Sequence, residues 1–145
     1  MHIRIANQTD ADSWAQMRAA LWPDESVDRH RQTIATMLAA THGRFLNVVA
    51  VGNSSELSGF AEASQRHDGC ETSPVAFLEG IYVQPGQRGA DIGRALCAFV
   101  EAWARAQGCT ELASDALLAN SNSHAFHRAI GFAETERVVF FRKQL

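Results

Sequence analysis

The run from Val75 to Gly93 constrains this chain more than any other. An apolar stretch, Val75 to Val83, ends at Gln84-Pro85, passes through Gly86-Gln87-Arg88-Gly89-Ala90-Asp91 and enters a long amphipathic segment at Ile92-Gly93. Apolar residues on both faces mark Val75 to Val83 as a central strand. Beyond the turn, Ile92, Leu96, Phe99, Trp103 and Ala106 are expected on one helical face with Glu101 and Arg105 opposite, and Gly108 ends the helix. A glycine-rich turn of this kind points several backbone N–H groups at one spot, and the helix N-terminus adds partial positive charge. Anions bind there, a diphosphate being the usual biological one. Neither the Gly-x-Gly-x-x-Gly of dinucleotide folds nor the Gly-x-x-x-x-Gly-Lys-Ser/Thr of P-loops is present. The competing reading is a strand-to-helix turn with no ligand.

Around this unit the chain alternates short elements without internal repeat or low-complexity linker. His2 to Ala6 reads as a strand. Thr9 with Asp12 three residues on predicts a capping-box helix start, and Trp14, Met17, Arg18 and Leu21 follow at helical spacing until Pro23. A second helix is expected from Val27 to Ala40, with Ile34, Met37 and Leu38 as its stripe and Gly43 beyond its end. Phe45 to Val51 and Leu57 to Ala63 form a hairpin about Gly52-Asn53-Ser54-Ser55. After the long helix come a strand from Glu111 to Ser114, a helix from Asn120 to Ile130 and a final strand from Phe132 to Arg142. This order predicts a single α+β domain, 1–145, with a central mixed β-sheet flanked by helices.

Charge and composition exclude several classes. A net charge of −3 argues against a nucleic-acid partner. No apolar run is long enough for a bilayer and the polar N-terminus is no signal peptide, so no membrane partner is expected. Cys70, Cys97 and Cys109 are odd in number and lack paired or metal-type spacing, which fits a reducing cytoplasm. His124 and His127 lie one helical turn apart without a third ligand, so no metal is expected. Cys109 has no flanking histidine and acid in the pattern a nucleophile requires and reads as a buried structural thiol.

The segment Arg88-Gly89-Ala90-Asp91-Ile92-Gly93 resembles the acetyl-CoA diphosphate loop of the GNAT acetyltransferases, Gln/Arg-x-x-Gly-x-Gly/Ala, with Asp91 in place of one glycine. Within that superfamily the whole chain is similar to the small aminoglycoside 6'-N-acetyltransferases. Leu21-Trp22-Pro23, Ser73-Pro74-Val75, Phe77-Leu78-Glu79-Gly80-Ile81, Ala113-Ser114-Asp115, Gly131-Phe132 and Glu134-Thr135-Glu136-Arg137-Val138 with Phe140 carry the similarity. The resemblance implies the GNAT fold, acetyl-CoA as co-substrate, aminoglycoside antibiotics as acceptors, drug resistance and a homodimer.

Glu79 sits between Phe77 and Ile81 on a strand expected to be buried. A buried carboxylate is costly without a cation or hydrogen bonds. An arginine partner is one reading. The favoured one is a cleft where the strand leaves its neighbour, with Gly80 easing the distortion. The resemblance places Glu79 at the acceptor amine, directly or through water. Asp115, just past a strand end, reads as substrate-binding or as a turn or N-cap aspartate. Glu136 alternates with Val138 and Phe140 and reads as substrate-binding, by resemblance, or as a solvated edge carboxylate. Three carboxylates in one cleft would hold a polycation through charge-assisted hydrogen bonds. Trp22, beside Pro23, reads as core or as a flat face for a sugar ring, and the acidic turn Asp24-Glu25-Ser26-Val27-Asp28 suits a cationic ligand or plain solvated surface.

For the acyl donor, the resemblance implies a donor strand Ile81-Tyr82-Val83, pairing through backbone groups at Ile81 and Val83 with the pantetheine arm. It adds the loop residues Arg88, Gly89, Ala90, Asp91, Ile92 and Gly93, and Asn120 on the same arm. His127 stands where many relatives carry a tyrosine that protonates the departing thiolate. Imidazole is a competent donor near neutral pH, and a helix-surface histidine is the alternative. The chain runs directly Asp68-Gly69-Cys70 after His67, where similar enzymes carry extra residues including an aromatic. A more open acceptor cleft is expected there. The implied mechanism is direct attack by the neutral amine in a ternary complex, with water or Glu79 removing the proton. An N-acetyltransferase for a polyamine, metabolite or peptide amine, and a non-catalytic acyl-CoA-binding module, are the alternatives.

Overall fold

Five strands pair in the order in which the chain makes them: β1 (His2–Ile5), β2 (Phe45–Val51), β3 (Leu57–Arg66), β4 (Val75–Val83) and β5 (Leu112–Ser114). The computed structural model describes residues 1–67 and 74–145, divided into two compact units, 1–114 and 115–145. The first four strands are antiparallel neighbours and β5 joins β4 in parallel, so the sheet is mixed. Parallel pairing needs a crossover. Here it contains α3 (Ile92–Ala106).

Helices cover both faces of the sheet. On one, α1 (Ala11–Leu21) and α2 (Val27–Ala39) bury Trp14, Met17 and Ile34 with Val49 and Phe60 of the hairpin. On the other, α3 packs close enough that a Cβ at Gly59 would meet Leu96 Cδ1 at 3.4 Å. Gly59 and Phe60 are successive strand residues, so their side chains point to opposite faces. The second unit holds α4 (Ser121–Ala129), capped by Asn120, whose Oδ1 accepts from the Ser123 N–H at 3.0 Å.

Several expectations shift. The capping box uses Asn7 and Asp10 rather than Thr9 and Asp12: Asn7 accepts from Thr9 N–H, and Asp10 accepts from Asn7 N–H at 2.8 Å. It opens a 3-10 turn, Gln8–Asp10, that runs into α1. Arg4 decides this, because its guanidinium grips Asp10 at 2.7 and 2.8 Å. The buried stripe of α3 is Ile92, Leu96, Cys97, Val100 and Ala104, with Phe99 and Trp103 half-buried and Ala106 exposed. Bulk favours the Phe99–Trp103 face in the sequence, but close approach to the sheet selects the smaller residues. The strand expected from Phe132 to Arg142 is absent: 132–145 forms no regular element, and Val138, Val139, Phe140 and Phe141 are 60–93% exposed. Alternation supplies strand propensity, whereas a strand exists only where a ladder partner meets it.

Candidate active site

A β-bulge builds the candidate acceptor site. Along β3 and β4, Glu62 faces Gly80 and Ala63 faces Leu78, so Glu79 has no cross-strand partner. An extra residue bends the strand and re-aims its side chain. The distortion expected at Gly80 is therefore present. Gly80 is required for a further reason, because a Cβ there would collide with Cζ2 and Cη2 of Trp22, whose ring lies over this backbone.

The Glu79 carboxylate is half-buried and paired. Oε1 accepts from Ser64 Oγ and, at 2.9 Å, from Arg66 Nε, and Oε2 accepts from Arg66 Nη2 at 2.5 Å. The arginine alternative holds, and the strand is bulged at Glu79 rather than separated from β3. Arg66 also lies with its Cζ 3.7 Å from the Phe77 ring centroid. Both partners were missed from sequence, because only the β3–β4 register brings Ser64 opposite Phe77 and Arg66 opposite Val75. A buried carboxylate does signal that a cation is needed.

Trp22 is half-buried between the helices, at the C-terminus of α1. It packs on the core with ring centroids 6.2 Å from Phe60, and the Arg18 guanidinium lies 4.7 Å from its own centroid. In the acidic turn, Asp24 and Glu25 are exposed, and Asp28 pairs with Arg31 at 2.7 Å.

At the end of β4 come the residues expected on the donor side. Ile81, Tyr82 and Val83 close the strand, with the Tyr82 ring stacked on Phe60 at 6.2 Å. Arg88 folds back so that Nε donates to the Val83 carbonyl at 3.0 Å and its Cζ sits 5.7 Å from the Tyr82 centroid. Gly89 and Asp91 both take positive φ, +82° and +58°, while Arg88 through Asp91 are exposed. Left-handed backbone is easy for glycine and tolerable for aspartate. Asp91 is the N-cap of α3 but caps nothing with its side chain, which is 86% exposed and 3.7 Å from Arg94. Ile92 is buried and Gly93 half-buried in the first turn, whose N–H groups lack intrahelical partners. With Ala90, these residues form an open loop running into a helix N-terminus, the arrangement that suits a diphosphate.

In the second unit, Asp115 and Glu136 are exposed. His127 Nδ1 lies 2.7 Å from the Ser123 carbonyl, one turn back, and its ring packs edge-on against Phe126 and Phe132. Cys97 and Cys109 are buried free thiols, and burial pushes Cys97 up to about 11, which leaves it a poor nucleophile. The expectation of an open cleft after His67 falls on residues 68–73, outside the described residues, as does Cys70. Among the described residues no histidine, cysteine and carboxylate cluster could hold a metal, and no helix is long and apolar enough to cross a membrane.

The chain matches the family model described as Acetyltransferase (GNAT) family over residues 11–132. It is 51% identical to aminoglycoside N(6')-acetyltransferase type 1 of Stenotrophomonas maltophilia, across 99% of this chain and 93% of that one. The crystal structure of aminoglycoside 6'-N-acetyltransferase from Acinetobacter haemolyticus superposes with a TM-score of 0.92 at 40% identity, covering 100% of this chain and 99% of that one. Aminoglycoside N-acetyltransferase AAC(6')-Iy, solved with the bisubstrate analogue CoA-S-monomethyl-acetylneamine, superposes with a TM-score of 0.90 at 41% identity, covering 99% and 98%. A strand bulged at Glu79, a left-handed loop into α3 and a family match crossing both units lead to one assignment: the chain belongs to the GNAT acetyltransferase family.

Proposed function

We infer that this protein is an aminoglycoside 6'-N-acetyltransferase that moves the acetyl group of acetyl-CoA to the drug's 6'-amine and so confers resistance. The observation that carries this is the layout of β4, which holds a carboxylate on a bulge under Trp22 and then exits through the Arg88–Gly93 loop. Relatives named for this activity, matched over 93–99% of their own length, support it. Residues 1–145 are read as one acetyltransferase domain, supported by a family match that crosses the 114/115 division.

Acetyl-CoA lies with its diphosphate at Arg88, Gly89, Ala90, Asp91, Ile92 and Gly93 and its pantetheine arm along Ile81, Tyr82 and Val83, with Asn120 contributing on the same arm. Glu79, Asp115 and Glu136 hold the ammonium groups of the drug, and Trp22 presents a flat face to a sugar ring. The 6'-ammonium loses a proton to water or Glu79. The neutral nitrogen attacks the thioester carbonyl, the C–N bond forms, the nitrogen releases its second proton to water, and the C–S bond breaks. The thiolate takes a proton from His127 or water. Holding amine and thioester in contact supplies much of the rate.

The exposed Val138, Val139, Phe140 and Phe141 support a homodimer, since an apolar run of strand-forming residues calls for a partner. The cytoplasm is the expected compartment, because acetyl-CoA and reduced thiols coexist there. The deciding experiment is thiol release from acetyl-CoA across a panel of aminoglycosides, polyamines and peptide amines. Release with aminoglycosides alone is expected. Preferential release with a polyamine or peptide moves the substrate class, and binding of acetyl-CoA with no release under any amine makes the protein a binding module.

A further inference from the structure

Beneath the acceptor side lies a buried polar cluster for which the reaction itself has no use. Glu62, opposite the bulge, is 5% exposed and accepts from Trp14 Nε1 at 2.8 Å and from Arg18 Nη1. Burial pushes its carboxyl upward, and the Arg18 guanidinium and these hydrogen bonds oppose the shift. Arg18, 7% exposed, also donates from Nε to His30 Nδ1 at 3.2 Å, and His30 is 1% exposed. His30 Nε2 lies 3.1 Å from the Trp22 carbonyl. Nδ1 must be bare to accept from Arg18, so the ring proton sits on Nε2 and is donated to Trp22. The Glu25 carboxylate, 3.9 Å from Nδ1, is beyond hydrogen-bonding reach.

Trp22 is thereby held three ways. Its N–H donates to the Arg18 carbonyl at 2.7 Å, its carbonyl accepts from His30, and the Arg18 guanidinium covers its ring. The ring in turn lies on Gly80, next to Glu79. Buried charge pairs are a poor source of net stability, but a fully satisfied buried network fixes one geometry. We propose that His30 is a positioning residue for the acceptor substrate, acting through Trp22 to set the indole against the Glu79–Gly80 bulge. The proposal rests on the acceptor role given to Trp22 above.

Two substitutions separate the halves of the imidazole. In His30→Asn the amide oxygen replaces Nδ1 and keeps Arg18, while the bond to Trp22 is lost. In His30→Gln the amide nitrogen replaces Nε2 and keeps Trp22, while Arg18 Nε loses its acceptor. The expected result is an aminoglycoside KM raised about tenfold in His30→Asn and less than about threefold in His30→Gln, since small misplacements carry large kinetic penalties. Acetyl-CoA KM stays unchanged in both. The Trp22 indole N–H resonance should move in the Asn variant and not in the Gln variant, a readout independent of turnover. Equal effects of the two variants on drug KM and on that resonance, or wild-type drug KM in a folded His30→Asn protein, overturn the proposal. Should His30→Asn fail to fold, a tenfold rise in drug KM for His30→Gln overturns it by itself. A wild-type protein that acetylates no aminoglycoside would instead remove the proposed substrate class, and the resonance would still decide the role of His30.

Discussion

Arg66 forks the carboxylate of Glu79, Nε to Oε1 at 2.9 Å and Nη2 to Oε2 at 2.5 Å, while Ser64 Oγ donates to the same Oε1. An ionised carboxylate has about four acceptor positions. Three donors leave one open, on Oε2. In its proposed acceptor role Glu79 offers that position, already oriented, to the 6'-ammonium. Glu79→Gln keeps shape and removes charge. Its kcat/KM for aminoglycosides should fall about 10- to 100-fold, the range of a charge-assisted hydrogen bond, with acetyl-CoA KM nearly unchanged. Steady-state kinetics in both substrates decide it, and an unaffected drug kcat/KM removes Glu79 from the acceptor site.

Asp115 and Glu136 are exposed in the free protein, so their attraction for a polycation is open to screening. Asp115→Asn and Glu136→Gln should each raise aminoglycoside KM and leave acetyl-CoA binding alone, and added salt should weaken drug binding to the wild type. Unchanged drug affinity in both variants would withdraw these two residues.

With Nδ1 directed at the Ser123 carbonyl, a neutral His127 carries its proton there, and Nε2 bears one only in the imidazolium. A thiolate-protonating His127 must act in that form. His127→Phe should lower kcat about 10²-fold at unchanged acetyl-CoA affinity, the low end for general acid catalysis. A fall below about threefold assigns the step to water.

At Asp91 the backbone is left-handed and the side chain caps nothing, so glycine removes no hydrogen bond and fits the φ of +58°. Asp91→Gly should tighten acetyl-CoA binding by about 1 kcal/mol, the near-surface scale for like charges several ångströms apart. Calorimetric titration at two salt concentrations should show the gain shrinking as salt rises. Weaker binding by the glycine variant would mean that Asp91 supports the loop.

The Arg4 guanidinium, with the Asn7 N–H, holds the buried Asp10 carboxyl below its ordinary 3.8. A group whose folded value is depressed stabilises the fold above its unfolded value, and that contribution is lost as pH falls through the folded one. The wild type should lose stability from about pH 4 downward, where this carboxyl takes up its proton in the unfolded chain before it does in the folded one. Asp10→Asn should be about 1–2 kcal/mol less stable at neutral pH, from the loss of cap and ion pair, with a shallower acid dependence. Urea unfolding at pH 7 and pH 3 measures both.

The elements that follow from local chemistry were legible along the chain. Val75 to Val83 is the strand its unbroken apolar run predicts, Gln84-Pro85 ends it, and Asn120 caps the helix it was expected to open. These features depend on side-chain patterning and on backbone preferences within a few residues. Asp91, standing where the resembled pattern has a glycine, takes a left-handed backbone that aspartate tolerates. Tertiary structure alone decided what depends on register and partners. The bulge that frees Glu79 arises from the offset between Glu62–Gly80 and Ala63–Leu78, and the same pairing delivers Ser64 and Arg66 to its carboxylate. The Arg18–His30–Trp22 linkage joins two helices whose contact no periodicity encodes. Residues 132–142 alternate as a strand does and yet form none, because a ladder is a property of two segments and only one of them is written there.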